Sequence, residues 1–230
     1  MSALTLITAT GGRPEAFAFL ERFIARQTFN GELQWLVVDD VDPATEITMR
    51  QTVIRPVPRW KPGEITLSRN LMAALALAKH NKILFIEDDE LYKPDYLQAM
   101  SDRLDLRPLA GEIPARYYNV ATRQYRVIPN TTHASLCQTG IRSELVPAFI
   151  KICQAGGKFL DIPLWKGYSG WVSPGESVVS IKGMPGRRGV GVGHRPQGGN
   201  WKADPNLDVL RSWIGADAAL YEQFAEAVAA

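Results

Sequence analysis

Cysteine is scarce: Cys137 and Cys153 are the whole supply in 230 residues, with no CxxC pair and no histidine at a metal-finger spacing. Such usage excludes a disulfide framework, reads as a reduced cytosolic chain, and leaves both thiols as expected core residues. Long apolar runs are missing too, and none approaches the roughly 18 residues of a membrane span. The opening Met1-Ser2-Ala3-Leu4-Thr5-Leu6 has no basic segment before an apolar one, so no signal peptide is expected. Net charge is small: 26 Lys+Arg against 24 Asp+Glu leave +2, too little for a polyelectrolyte. Familiar motifs are also absent. There is no GxxxxGK(S/T) phosphate loop, GxSxG elbow or HExxH helix. Gly11-Gly12 follows the first apolar run without the third glycine of GxGxxG, and Arg13-Pro14 occupies the turn.

What remains is ordinary globular composition, 46% hydrophobic and 22% charged, sized for one continuous domain. The first hundred residues alternate strand and helix. Leu4–Thr10, Leu33–Val38, Thr52–Val57 and Lys82–Ile86 are short β-branched or apolar runs. Glu15–Gln27 and Leu67–Lys79 carry helical stripes. That alternation predicts an α/β fold with a mostly parallel sheet covered by helices. After Leu106 the pattern changes to a hairpin of Arg116–Val120 and Gln124–Ile128, a helix over Ser143–Gln154 and a strand near Ser177–Ile181. A glycine-rich loop to about Asn200 follows, then a C-terminal helix over Leu207–Val228.

Ligands of parallel sheets bind beyond the carboxyl ends of strands, and two acidic clusters fall there. Glu87-Asp88-Asp89-Glu90 directly follows an apolar strand. Four carboxylates so close repel one another, and a divalent cation bound through oxygen relieves that cost. The bland alternative is a solvated turn. Asp39-Asp40 closes the second strand, where an acid can accept hydrogen bonds from a nucleotide or simply serve a turn. Between Ser177 and Ala203 lie Lys182, Arg187, Arg188, Arg195 and Lys202, seven glycines and no acid. This segment is expected to be mobile, since its neighbouring sequence offers no acidic partner. Opposite an acidic metal site, Lys182, Arg187 and Arg188 suit a diphosphate. His194 is either a metal ligand or a bystander.

In order and spacing these pieces resemble a GT-A glycosyltransferase of the family-2-like nucleotide-sugar type. The resemblance spans roughly residues 4–195: Thr8-Ala9-Thr10 with Arg13-Pro14, LVVDD at Leu36–Asp40, Ser68-Arg69-Asn70 opening a helix, FIEDDE at Phe85–Glu90, and a late His194. It implies a single domain, 1–230, with a nucleotide-sugar half over 1–106 and an acceptor half over 107–230. Thr8, Thr10, Arg13 and Asp39 would surround base and ribose, and Arg69 and Asp88 would face the diphosphate-sugar. Asp89 and His194, with Glu87 at the altered first position of the DxD triplet, would hold Mn²⁺ or Mg²⁺. An inverting member needs a carboxylate base on the acceptor side, for which Asp161 in Phe159–Pro163 is the match and Glu144 and Glu176 are reserves.

The implied activity is metal-dependent transfer of a sugar from a nucleoside diphosphate, with a UDP-sugar as the favoured donor, to an acceptor hydroxyl. Trp165, Tyr168 and Trp171 flank Asp161 and can stack on a sugar ring or a nucleobase, or fill a core. A saccharide or small-molecule acceptor is the first expectation and hydroxymethylated bases of DNA the second. The rival classes are a sugar nucleotidyltransferase and a nucleotide-binding module without turnover.

Overall fold

The computed structural model describes residues 2–189, 191–198 and 200–224. Its strands are β1 (Ala3–Thr10), β2 (Glu32–Asp39), β3 (Thr52–Ile54), β4 (Lys82–Phe85), β5 (Glu90–Tyr92), β6 (Leu109–Ile113), β7 (Ala115–Asn119), β8 (Gln124–Ile128), β9 (Thr139–Arg142), β10 (Trp171–Pro174), β11 (Val178–Lys182) and β12 (Lys202–Ala203). The helices are α1 (Pro14–Ala25), α2 (Leu67–Leu75), α3 (Tyr96–Leu106), α4 (Val146–Ala155), α5 (Asp161–Gly167) and α6 (Asp208–Ile214).

Seven strands form the main sheet in the order β10-β6-β9-β4-β1-β2-β3. The run β4-β1-β2-β3 is parallel, while β9 pairs antiparallel with both β4 and β6. Strand alternation sorts the apolar residues onto two faces. Ile7, Leu36, Val38, Ile83 and Phe85 pack with Leu71, Leu75, Phe149 and Leu164 of α2, α4 and α5. Leu4, Leu6, Trp35, Val37, Leu84 and Ile86 pack with Phe17, Leu20, Tyr96 and Met100 of α1 and α3. Helices cover both faces, so strand ends are left as the place for polar chemistry.

The expected hairpin β7–β8 belongs to a second sheet of order β12-β8-β7-β11-β5. Its β5 begins at Glu90, so the acidic run is the junction between the two sheets, not a solvated turn. The expected C-terminal helix is shorter than the sequence pattern suggests. α6 stops at Ile214, where Gly215 takes a φ of +61°, and 3₁₀ turns follow to Phe224. The remainder of that expected helix, residues 225–228, lies outside the described residues, as do Val190 and Gly199 of the basic loop.

Candidate active site

The strand order places β4 and β2 on opposite sides of β1, so the chain reverses its direction of travel across the sheet there. At the carboxyl ends of these three strands stand Thr10, Asp39-Asp40 and Glu87–Glu90. The Thr10 hydroxyl donates to Asp88 at 2.7 Å, tying β1 to the acidic run. Arg13, just ahead of α1, spans two acids, with its guanidinium 2.6 Å from Asp88 and 2.8 Å from Asp89. Lys182, the last residue of β11, is buried and puts its ammonium 2.8 Å from Asp89 and 2.5 Å from Glu90. His194 Nε2 lies 3.2 Å from the Asp89 carboxylate.

Burial opposes ionisation throughout this cluster, and the ion pairs decide which group overcomes it. Burial works against the Asp89 charge, yet Lys182, Arg13 and His194 together hold its carboxyl well below the usual range. Burial pushes Glu87 up to about 8, with Lys182 opposing and the Glu90 and Asp89 charges adding to the rise. Burial likewise raises Asp88 and Glu90 despite their cations. Burial lowers His194 against the pull of Asp89, which favours the neutral ring with its lone pair.

Arg13 and Lys182 between them contact Asp88, Asp89 and Glu90, and Glu90 Oε2 is buried without a hydrogen-bond partner. Glu87, Glu90 and Cys137 bring ligand atoms within 4.8 Å of one another. Burial keeps the Cys137 thiol protonated, which leaves oxygen as the available donor beside the His194 nitrogen. An oxygen-rich set beside one imidazole nitrogen fits a hard divalent cation such as Mn²⁺ or Mg²⁺.

Asp40 organises the other side. It is fully buried and accepts from Thr66 Oγ1 at 2.5 Å, Asn70 Nδ2 at 2.7 Å and Arg187 at 2.7 Å, with Arg69 3.6 Å away. Asp39, equally buried, takes Arg55 and the Thr45 backbone N–H. Arg187 also stacks on Trp60 at 4.3 Å, and its backbone N–H donates to the Gly12 carbonyl at 2.8 Å. The basic loop thus lies across the mouth of the site. This corrects the expectation that its charges lack acidic partners: Lys182, Arg187 and His194 all find acids distant in sequence. Arg188, grouped with them in the sequence, is exposed.

Gly186 makes the crossing possible. Its φ is +97°, and a Cβ there would sit 2.1 Å from the Gly12 carbonyl oxygen. Gly186→Ala is expected to lift the loop from the Gly11-Gly12 turn that follows β1 without disturbing the sheet. Hydrogen exchange at Arg187 should rise while exchange in β1 and β2 stays unchanged. Equal protection of Arg187 in both proteins would contradict this packing.

Several expected site residues lie outside the acidic cluster. Thr8 is fully buried and accepts from the Trp35 indole N–H at 3.0 Å, so it packs beneath the site and offers no group to a nucleotide. Asp161 opens α5, half-buried, and burial raises its carboxyl although the backbone N–H groups of Asp161 and Ile162 oppose the rise. Among the described residues no hydrogen bond or ion pair joins it to the acidic cluster. Glu144 and Glu176 are exposed and paired with Arg142 and Arg116. Trp165 is a core residue, donating to Thr139 at 3.1 Å, whereas Tyr168 and Trp171 are exposed. Thr66 and Trp60 were not singled out by the sequence; Asp40 was noted with Asp39 as a strand-end pair but given no role of its own. A hollow of about 510 Å³ lies at the opposite strand ends, by Ser2, Lys79 and Lys82, where Lys82 is already paired with Asp105 at 2.7 Å.

No protein-family model matches the sequence, and no curated protein matches it either. Solved structures do match in shape. TarS from S. aureus, residues 1–349 with UDP, superposes with a TM-score of 0.55 at 15% identity, covering 78% of this chain and 60% of that one. The mannosyltransferase PcManGT from Pyrobaculum calidifontis, with GDP-Man and Mn²⁺, gives 0.53 at 14% identity, covering 79% and 57%. The chain has a GT-A glycosyltransferase fold. The chain spans 60% of the TarS 1–349 structure and 38% of a longer TarS structure, so the likeness establishes architecture.

Proposed function

We propose that the protein transfers a sugar from a nucleoside diphosphate, UDP-linked in the first instance, to an acceptor hydroxyl with inversion. The observation that carries this reading is the acidic junction at the reversal point of a GT-A sheet, ringed by Arg13, Lys182, His194 and Arg187. Asp89 and His194, with Glu87 beside them, would hold Mn²⁺ or Mg²⁺, which supplies positive charge to the departing diphosphate when bound. By the resemblance Thr10, Arg13 and Asp39 would serve base and ribose, with Asp39 acting from beneath through its partner Arg55. Arg69, Asp88, Lys182 and Arg187 would meet the diphosphate and sugar, with Arg188 available from solvent.

Asp161 serves as the base. Burial raises its carboxyl, which improves a carboxylate as a proton acceptor. It takes the proton of the acceptor hydroxyl as the acceptor oxygen bonds to the anomeric carbon. The bond from that carbon to the diphosphate oxygen breaks, releasing nucleoside diphosphate. Asp161→Asn is expected to leave nucleotide binding near normal and to lower transfer by about 10²–10⁴-fold. Turnover within a few-fold of wild type would place the base elsewhere.

The exposed rings of Tyr168 and Trp171 offer stacking faces in the same segment, suited to a saccharide or small-molecule acceptor. DNA is the second reading for the acceptor, favoured by Lys158 and Lys166, both exposed in that segment. Product analysis separates the enzyme classes. Release of nucleoside diphosphate supports transfer, and release of pyrophosphate would mean a nucleotidyltransferase.

A further inference from the structure

Lys182 stands out among the cations of the site because its charge is wholly committed inside the protein. Its side chain is 3% exposed, and the ammonium contacts Asp89 and Glu90 together. Its backbone is fixed in β11, and its carbonyl accepts from the Val120 N–H at 2.8 Å. The charge can therefore move on four methylenes while the strand stays in place. Arg13 covers the other side of Asp89, so both oxygens of that carboxylate already receive a cation. A divalent ion added to this arrangement would bring a third cation into a buried space, where like charges repel strongly. The adjoining Glu90 Oε2, buried and unpaired, shows that the acids still have accepting capacity once the ammonium departs.

We propose that Lys182 is the resident counterion of the acidic junction: its ammonium holds Asp89 and Glu90 in the unloaded protein, and a divalent cation enters only with a diphosphate that takes over the lysine's charge. This rests on the reading that a metal ion and a nucleoside diphosphate meet at this site. Metal and diphosphate then bind cooperatively, each raising the affinity of the other by the same factor. Lys182 is a positioning residue whose removal relieves competition for the metal.

Calorimetric titration of Mn²⁺ alone into wild type and Lys182→Gln tests it, followed by the same titrations with saturating UDP. Lys182→Gln should bind Mn²⁺ alone at least tenfold more tightly than wild type, and UDP should improve its metal affinity by a smaller factor. A merely structural role for Lys182 would weaken metal binding or leave it alone. Lys182→Met, which keeps the unbranched apolar stem without the charge, answers the same question if Lys182→Gln does not fold. Mn²⁺ affinity in these variants equal to or below that of wild type overturns the counterion role. Failure of UDP, GDP and CDP to bind wild type with Mn²⁺ would instead overturn the functional reading.

Discussion

Asp89→Asn is expected to lower sugar transfer by about 10²–10³-fold, the scale for losing one group that stabilises developing charge. Asp89 is the junction at which Arg13, Lys182 and His194 converge, and the only acid of the cluster whose charge is held firmly by its neighbours. Asparagine keeps the shape but cannot balance two cations or ligate a metal with charge. The fold should survive, because Arg13 retains Asp88 at 2.6 Å and Lys182 retains Glu90 at 2.5 Å. A chelator applied to wild type should bring activity close to that of the variant, and the two treatments together should cost little more than either alone. Fully additive losses would separate Asp89 from the metal.

Asp40→Ala is expected to have the largest effect on stability, a loss of about 2–4 kcal/mol. The carboxylate has no exposed surface and gathers β2, the start of α2 and the basic loop through Thr66, Asn70 and Arg187. Truncation strands two buried donors and one guanidinium. The Arg187 side chain keeps 20% of its surface in water, which holds the cost below that of a fully buried orphan charge. Urea unfolding should show a lower midpoint with an unchanged slope, and Asp40→Asn should recover part of the loss. A loss under about 1 kcal/mol would mean that water replaces the carboxylate without penalty.

How much of this was legible in the sequence depends on whether the signal was local. β1, β2 and β4 could be read from short apolar runs, and the strand-end acids followed because they adjoin those runs. The hairpin β7–β8 was readable for the same reason. β5 and β6 were not, since three to five residues in a mixed context carry no period. The charge partners were hidden because Arg13 meets Asp89 across 76 positions, Lys182 meets Glu90 across 92 and Arg187 meets Asp40 across 147. Five cations without an adjacent acid therefore read as a free loop, although the fold supplies the acids. Thr8 and Thr10 look alike in sequence and share a strand face. Only the neighbouring strand's Trp35, which covers the first, tells them apart. The break in the C-terminal helix did have a local signal in Gly215, a residue suited to the left-handed turn that ends a helix.

The most direct test of the central claim is calorimetric binding of UDP, GDP and CDP in the presence of Mn²⁺, to wild type and to Asp89→Asn. Wild type should bind at least one nucleoside diphosphate saturably, in a manner that depends on the metal and is lost in Asp89→Asn. Absence of binding by all three, or binding that Asp89→Asn leaves unchanged, would contradict it.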